Sequence, residues 1–167
     1  YVDMVATSAS DPQSSLLIDG IKSGTKRLRD IINDIIDVSL LDLRIMEFHF
    51  QPVWFNQLLN AAEKNVRKQF STRSVEIEID RDTIPKEATY ADPDRLLQAV
   101  QKVMMNAVKY TPDGGRVYIQ ARSLSGFTDI MIVDNGVGIA PSNLPHIFDS
   151  FSALGDASLH SSGKTKF

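Results

Sequence analysis

The chain has 167 residues, 43% of them hydrophobic, and 18 Lys and Arg against 21 Asp and Glu, for a net charge of −3. A chain of this size and composition can bury a real core, and its charge excludes a strongly basic nucleic-acid module. Cysteine is absent, which excludes a disulfide scaffold, a thiolate zinc site and a Cys nucleophile. No apolar run approaches a membrane span, and residues 1–10 lack the basic start of a signal peptide.

Taken in chain order, Asp11 and Pro12 read as a helix start. The next proline after Pro12 is Pro52. Leu28, Ile31, Ile32, Ile35, Ile36, Leu40 and Leu43 form a broad stripe at helical spacing. A helix from Pro12 to about Met46 would span roughly 50 Å, a length that suits a bundle or coiled coil. Alternation over Glu47–Gln51 predicts a strand ended by Pro52. A helix follows over about Asn56–Phe70, with Leu58, Leu59, Ala62 and Val66 on one face. Val75, Ile77 and Ile79 alternate with acids as a half-exposed strand, and Ala88–Ala91 is a short one.

Asp92-Pro93-Asp94 caps a helix that runs to about Lys109. Its apolar face holds Leu96, Leu97, Val100, Val103, Met104, Ala107 and Val108. Lys102, Asn106 and Lys109 share another edge. After the turn Thr111–Gly115, Val117, Ile119 and Ala121 alternate as a strand. Ile130–Val133, apolar on both faces, reads as the central, buried strand of the resulting hairpin. Residues 145–151 read as a short helix. The stretch from Ala153 to Lys166 is small and polar, and reads as a mobile loop.

Two places carry possible chemistry. Asp134-Asn135-Gly136-Val137-Gly138-Ile139 follows a buried strand. Asp134 offers an acceptor there, and the glycines permit close approach of a flat ligand; alone, the segment reads more readily as an Asn-Gly turn. The helix end Asn106–Thr111 offers an amide oxygen suited to a magnesium shell, a lysine charge suited to phosphate, and an aromatic ring suited to a base. Alone, it reads as a solvated helix edge. Ser162-Gly163-Lys164-Thr165 has the ending of a P-loop, but the first glycine is missing and no strand precedes it.

In their order, these segments resemble the ATP-binding domain of sensor histidine kinases. RLLQAVQKVMMNAVKYT (95–111) is similar to that family's N box, DNGVGI to its G1 box, and Ile147–Phe151 to its F box. IKSGTKRLRDIINDIIDVSLLDLRIMEF resembles the second helix of the dimerisation and phosphotransfer domain, and YVDMV the end of the first. The resemblance implies an α/β fold: a helical-hairpin stem followed by an α/β sandwich with a mixed sheet. The fold is expected to be C-terminally incomplete, because the G2 box is absent. It also implies two domains, partial dimerisation helices over 1–46 and an ATP-binding domain over 47–167.

By resemblance, Asp134 accepts from the adenine amino group, Asn106 helps hold Mg2+, Lys109 faces phosphate and Tyr110 covers the base. Gly136, Gly138 and Ile139 shape the pocket, and Phe148 and Phe151 anchor a lid, although both Phe residues read at least as readily as ordinary core packing. The implied activity is transfer of the ATP γ-phosphate to a stem histidine, for relay to a response-regulator aspartate. The phosphoacceptor is expected to precede Tyr1, since His49, His146 and His160 lie outside the first helix. The implied partners are a second copy through the stem and a receiver domain, with neither nucleic acid nor membrane contact. The implied location is cytoplasmic, with membrane anchoring of a longer parent left open. Lys102 stands where the family usually has a further Asn. It leaves open a catalytically weak or inactive nucleotide-binding, dimerising signalling module. ATPases of the same fold that use a Glu base are disfavoured, because the helix has no Glu.

Overall fold

The computed structural model describes residues 12–43 and 45–148. The chain divides into two compact units, 1–47 and 48–167. In the first unit, helix α1 (Pro12–Asp42) runs for 31 residues, about 46 Å. It ends four residues before the expected Met46, where Leu43 and Ile45 close it by donating to the Ser39 and Leu40 carbonyls. Ile18 is buried, but Leu28, Ile31, Ile32, Ile35 and Ile36 are between 43 and 59% exposed. The expected first arm of the hairpin lies outside the described residues.

The second unit is a two-layer α/β sandwich. Its elements are β1 (Gln51–Val53), α2 (Phe55–Gln69), β2 (Glu76–Ile79), β3 (Thr89–Ala91), α3 (Pro93–Tyr110), β4 (Arg116–Leu124) and β5 (Phe127–Asp134). The three-stranded sheet is mixed, in the order β2-β4-β5. β2 runs parallel to β4 with Ile77 opposite Val117, and β5 runs antiparallel to it with Val117 opposite Asp134. Gly126 (φ +90°) supplies the left-handed residue of the β4–β5 turn. β1 and β3 form a separate antiparallel pair.

Period-2 and period-3.6 patterns meet in one core. Val117, Ile119 and Ala121 of β4 are at most 1% exposed; they cluster with Leu58, Leu59, Ala62 and Val66 of α2 and Val100, Met104, Ala107 and Val108 of α3. Along β2 and β4 the other face of the sheet is polar. There Arg116 pairs with Glu76 and Glu78, and the Tyr118 hydroxyl donates to Asp80 Oδ2 at 2.8 Å.

Four further expectations change. β4, not β5, is the buried central strand; β5 is half-buried at the edge of the described sheet. The residues that make 130–133 apolar on both faces lie only partly covered. Pairing occurs over Gln51–Val53 rather than 47–51, with Pro52 opposite Tyr90. Proline is admissible there because a two-stranded ribbon has only edge strands. Val103 is 53% exposed and so leaves the predicted apolar face. At 144–146 the backbone forms a 3-10 turn. The remainder of the expected F-box helix beyond Phe148, including Phe151, and the expected loop 153–166 lie outside the described residues.

The cap of α3 follows the sequence. Asp92 Oδ1 accepts from the N–H groups of Asp94 (3.1 Å) and Arg95 (3.0 Å), with Pro93 at the first turn. Its Oδ2 accepts from the His49 N–H at 2.8 Å. These bonds, the His49 one foremost, hold the Asp92 carboxyl below its ordinary 3.8. The folded-state pKa is thus depressed. The stability linked to it is complete above the unfolded value near 3.8 and is lost as pH falls through the folded one. Urea midpoints measured on acidification should fall below that pH. Asp92→Asn, which keeps an acceptor but no titrating group, should have a flatter acid limb; identical limbs would refute the linkage.

Candidate functional site

The residues predicted to bind ligand gather where α3 ends beside the loop that follows β5. Thr111 closes α3: its N–H and hydroxyl both donate to the Ala107 carbonyl, at 3.1 and 2.7 Å. The Tyr110 carbonyl, left free by the end of the helix, accepts from the Val137 N–H at 3.2 Å. Asp134 Oδ1 accepts from the Gly136 N–H at 2.9 Å, which folds the loop back on the strand end. Asn135 is a latch rather than a ligand group. Its Oδ1 accepts from the Arg116 N–H at 2.8 Å, and its own N–H donates to the Arg116 carbonyl at 3.3 Å.

Both G1 glycines have a physical reason. A Cβ on Gly136 would stand 2.5 Å from the Tyr110 carbonyl oxygen and 2.7 Å from Asp134 Oδ1. Gly138 has open space but a φ of +69°, which disfavours any side chain. Asp134 and Ile139 are exposed, as are Asn106, Lys109 and Tyr110 along the polar edge of α3. Lys109 Nζ lies over one face of the Tyr110 ring, 5.0 Å from its centroid, a cation–π contact that ties the two side chains together. Phe148 is 94% exposed, so its ring does not join the core.

The structure therefore brings Tyr110, Asp134 and Gly136 together, with Gly138 and Ile139 continuing the same loop. Asn106 lies one helical turn before Tyr110 on α3. Among the described residues no group of three or more His, Asp or Glu could hold a metal. A lone amide oxygen at Asn106 suits Mg2+, which keeps most of its water and phosphate oxygens instead of entering a protein cage. A separate depression of about 250 Å³, lined by Val53, Trp54, Leu58, Pro93 and Leu97, contains none of these residues. Among the described residues no helix is long and apolar enough to cross a membrane.

The chain also resembles known proteins in sequence and in fold. Residues 91–166 match the histidine kinase-, DNA gyrase B-, and HSP90-like ATPase family. The chain is 31% identical over 138 residues to the histidine protein kinase DivJ of Caulobacter vibrioides, covering 81% of this chain and 23% of DivJ. It is 29% identical over 145 residues to the sensor protein kinase WalK of Staphylococcus aureus, covering 84% and 23%. The chain thus spans about a quarter of the length of these relatives. Among solved structures, full-length ShkA in complex with AMPPNP has a TM-score of 0.70 at 21% identity, covering 85% of this chain and 30% of that one. The histidine kinase AdeS of Acinetobacter baumannii has 0.68 at 18%, covering 81% and 65%. The fold and these relatives agree: the chain carries an ATP-binding domain of the sensor histidine kinase type.

Proposed function

We propose that this domain binds ATP between the end of α3 and the loop 134–139, and serves transfer of the γ-phosphate to a histidine of the helical stem. The observation that carries the proposal is the convergence of Tyr110, Asp134 and Gly136: the Tyr110 carbonyl takes the Val137 N–H and crowds Gly136, and the Asp134 carboxylate takes the Gly136 N–H. Asp134 accepts from the adenine amino group, Tyr110 covers the base, and Gly136, Gly138 and Ile139 leave room for its plane. Lys109 meets the phosphates, and Asn106 adds an oxygen to the magnesium shell. Mg2+, when bound, neutralises phosphate charge. Phosphoryl transfer asks the protein mainly for positioning and charge stabilisation, which is the kind of group these residues offer.

The relay then runs to an aspartate on a response-regulator receiver domain; the histidine kinase ThkA, similar in fold (TM-score 0.64 at 18% identity, covering 90% of this chain and 44% of that one), has been solved in complex with the response regulator protein TrrA. The exposed isoleucine row of α1 supports pairing of the stem with a second copy. One observation favours a catalytically weak module instead: Lys102, exposed one turn before Asn106, puts a cation where a metal-binding oxygen would serve better.

The test uses radiolabelled ATP and a longer form of the protein that includes the phosphoacceptor helix. An acid-labile label should appear on a protein that sediments as a dimer. Asp134→Asn removes a charge-assisted hydrogen bond, so ATP affinity should fall roughly ten- to hundredfold and the label with it. Unchanged affinity in Asp134→Asn would defeat the site assignment. ATP binding without any label would favour the weak-module reading.

A further inference from the structure

Arg73 lies in the short connection between α2 and β2, outside the sequence of every motif that suggests ATP binding. Its side chain is 26% exposed, and its guanidinium is used twice. Nε donates to Asp113 Oδ1 at 2.8 Å, and Nη2 donates to the Thr111 carbonyl at 2.7 Å. The same Asp113 oxygen accepts from the Ser74 N–H at 3.1 Å, and the Ser74 carbonyl accepts from the Gly114 N–H at 2.6 Å. These links join residues 73–74 to the turn 111–114, across 38 to 40 residues of sequence.

The turn so held is the seat of the nucleotide loop. Tyr110 enters it, and the Tyr110 carbonyl both accepts from Val137 and crowds Gly136. Arg116 leaves it, bonded to Asn135 in both directions. A Cβ on Gly115 would strike the Thr111 methyl group and Asn135 Oδ1, so turn and loop are also packed closely. A guanidinium can hold a carboxylate and a carbonyl together because its N–H groups diverge in a fixed plane. An ammonium has no such fork.

We infer that Arg73, paired with Asp113, is a positioning residue for nucleotide recognition: it fixes the turn after α3 so that Lys109, Tyr110 and Asp134 are presented to one nucleotide. The inference rests on the ATP-site reading above. Arg73 touches no ligand; it acts on where those groups stand.

Equilibrium binding of ATP and GTP to this chain tests it, with Arg73→Ala, Arg73→Lys, Asp113→Ala and the Arg73→Ala, Asp113→Ala pair. Melting curves set a temperature at which each variant is folded. Arg73→Ala should weaken ATP about tenfold and narrow the preference for ATP over GTP, because Asp134 no longer meets the adenine edge in register. Arg73→Lys should restore only part of that preference. The double variant should be no weaker than Arg73→Ala, since both changes open one clamp. Parent-like binding, equal weakening of both nucleotides, or additive losses in the double variant would overturn the inference. If Arg73→Ala does not fold, Arg73→Lys and Asp113→Ala carry the same comparison. ATP binding that responds to Asp134→Asn but not to Arg73 defeats the clamp alone. A parent that binds no ATP, or an Asp134→Asn variant that binds it undiminished, defeats the site reading and the clamp together.

Discussion

Gly136→Ala should abolish measurable ATP binding, or weaken it about a hundredfold or more, a loss of about 3 kcal/mol. The added methyl has nowhere to go. It would stand 2.5 Å from the Tyr110 carbonyl oxygen, 2.9 Å from the carbonyl carbon and 2.7 Å from Asp134 Oδ1. Two of those atoms are backbone and cannot rotate aside. The third belongs to the carboxylate proposed to read adenine. Relief therefore requires the loop to move off α3, which breaks the Val137 to Tyr110 hydrogen bond, or Asp134 to turn away. Overpacking of this kind also costs about 1–3 kcal/mol of stability. Calorimetric titration with ATP, made where the variant is folded, checks it; affinity within threefold of the parent (a threefold change is about 0.65 kcal/mol) would mean that the loop is not the nucleotide site.

Leu59→Ala should do the reverse. Leu59 is fully buried on α2, in the core that also holds Met104, Val108 and Ile119. Truncation should cost about 2–5 kcal/mol, through lost transfer free energy and the cavity left behind. Against a total stability of about 5–15 kcal/mol, that is a large fraction. Leu59 does not belong to the site, however, so ATP affinity measured in the cold on the folded fraction should be close to that of the parent. Urea midpoints checked beside nucleotide titrations separate the two effects. A large affinity loss with an unchanged midpoint would contradict the division of labour between core and loop.

The sequence made α3 legible because its signals are local. Asp92-Pro93-Asp94 marks the start, and Val100, Met104, Ala107 and Val108 mark the buried face within one helix. The DNGVG loop was legible for the same reason: two glycines within three positions, at a strand end. What was not legible depends on pairing across distance. The sequence of β5 looks central because it is apolar on both faces, yet strand order is decided by which partners flank β4. Pro52 looked like a terminator, and only the two-stranded context of β1 and β3 lets it sit inside a ladder. Arg73 carried no signal at all, since Asp113 and Thr111 lie 40 and 38 residues away. The turn Thr111–Gly115 could be read as a turn but not as the support of a binding loop.

The parallel pairing of β2 with β4 has a consequence for synthesis. Glu76 must wait for Arg116, 40 residues downstream, before any rung of that ladder can form. At ribosomal speeds that interval is about 2–8 s. Throughout it, β2 is a nascent strand with no neighbour, the kind of segment most prone to stick to another chain. Its composition guards it: Glu76, Glu78 and Asp80 alternate with Val75, Ile77 and Ile79, so two such segments brought side by side repel along one whole face. The acids that later meet Arg116 and Tyr118 across the finished sheet thus act earlier as gatekeepers, keeping the strand single until its partner is made.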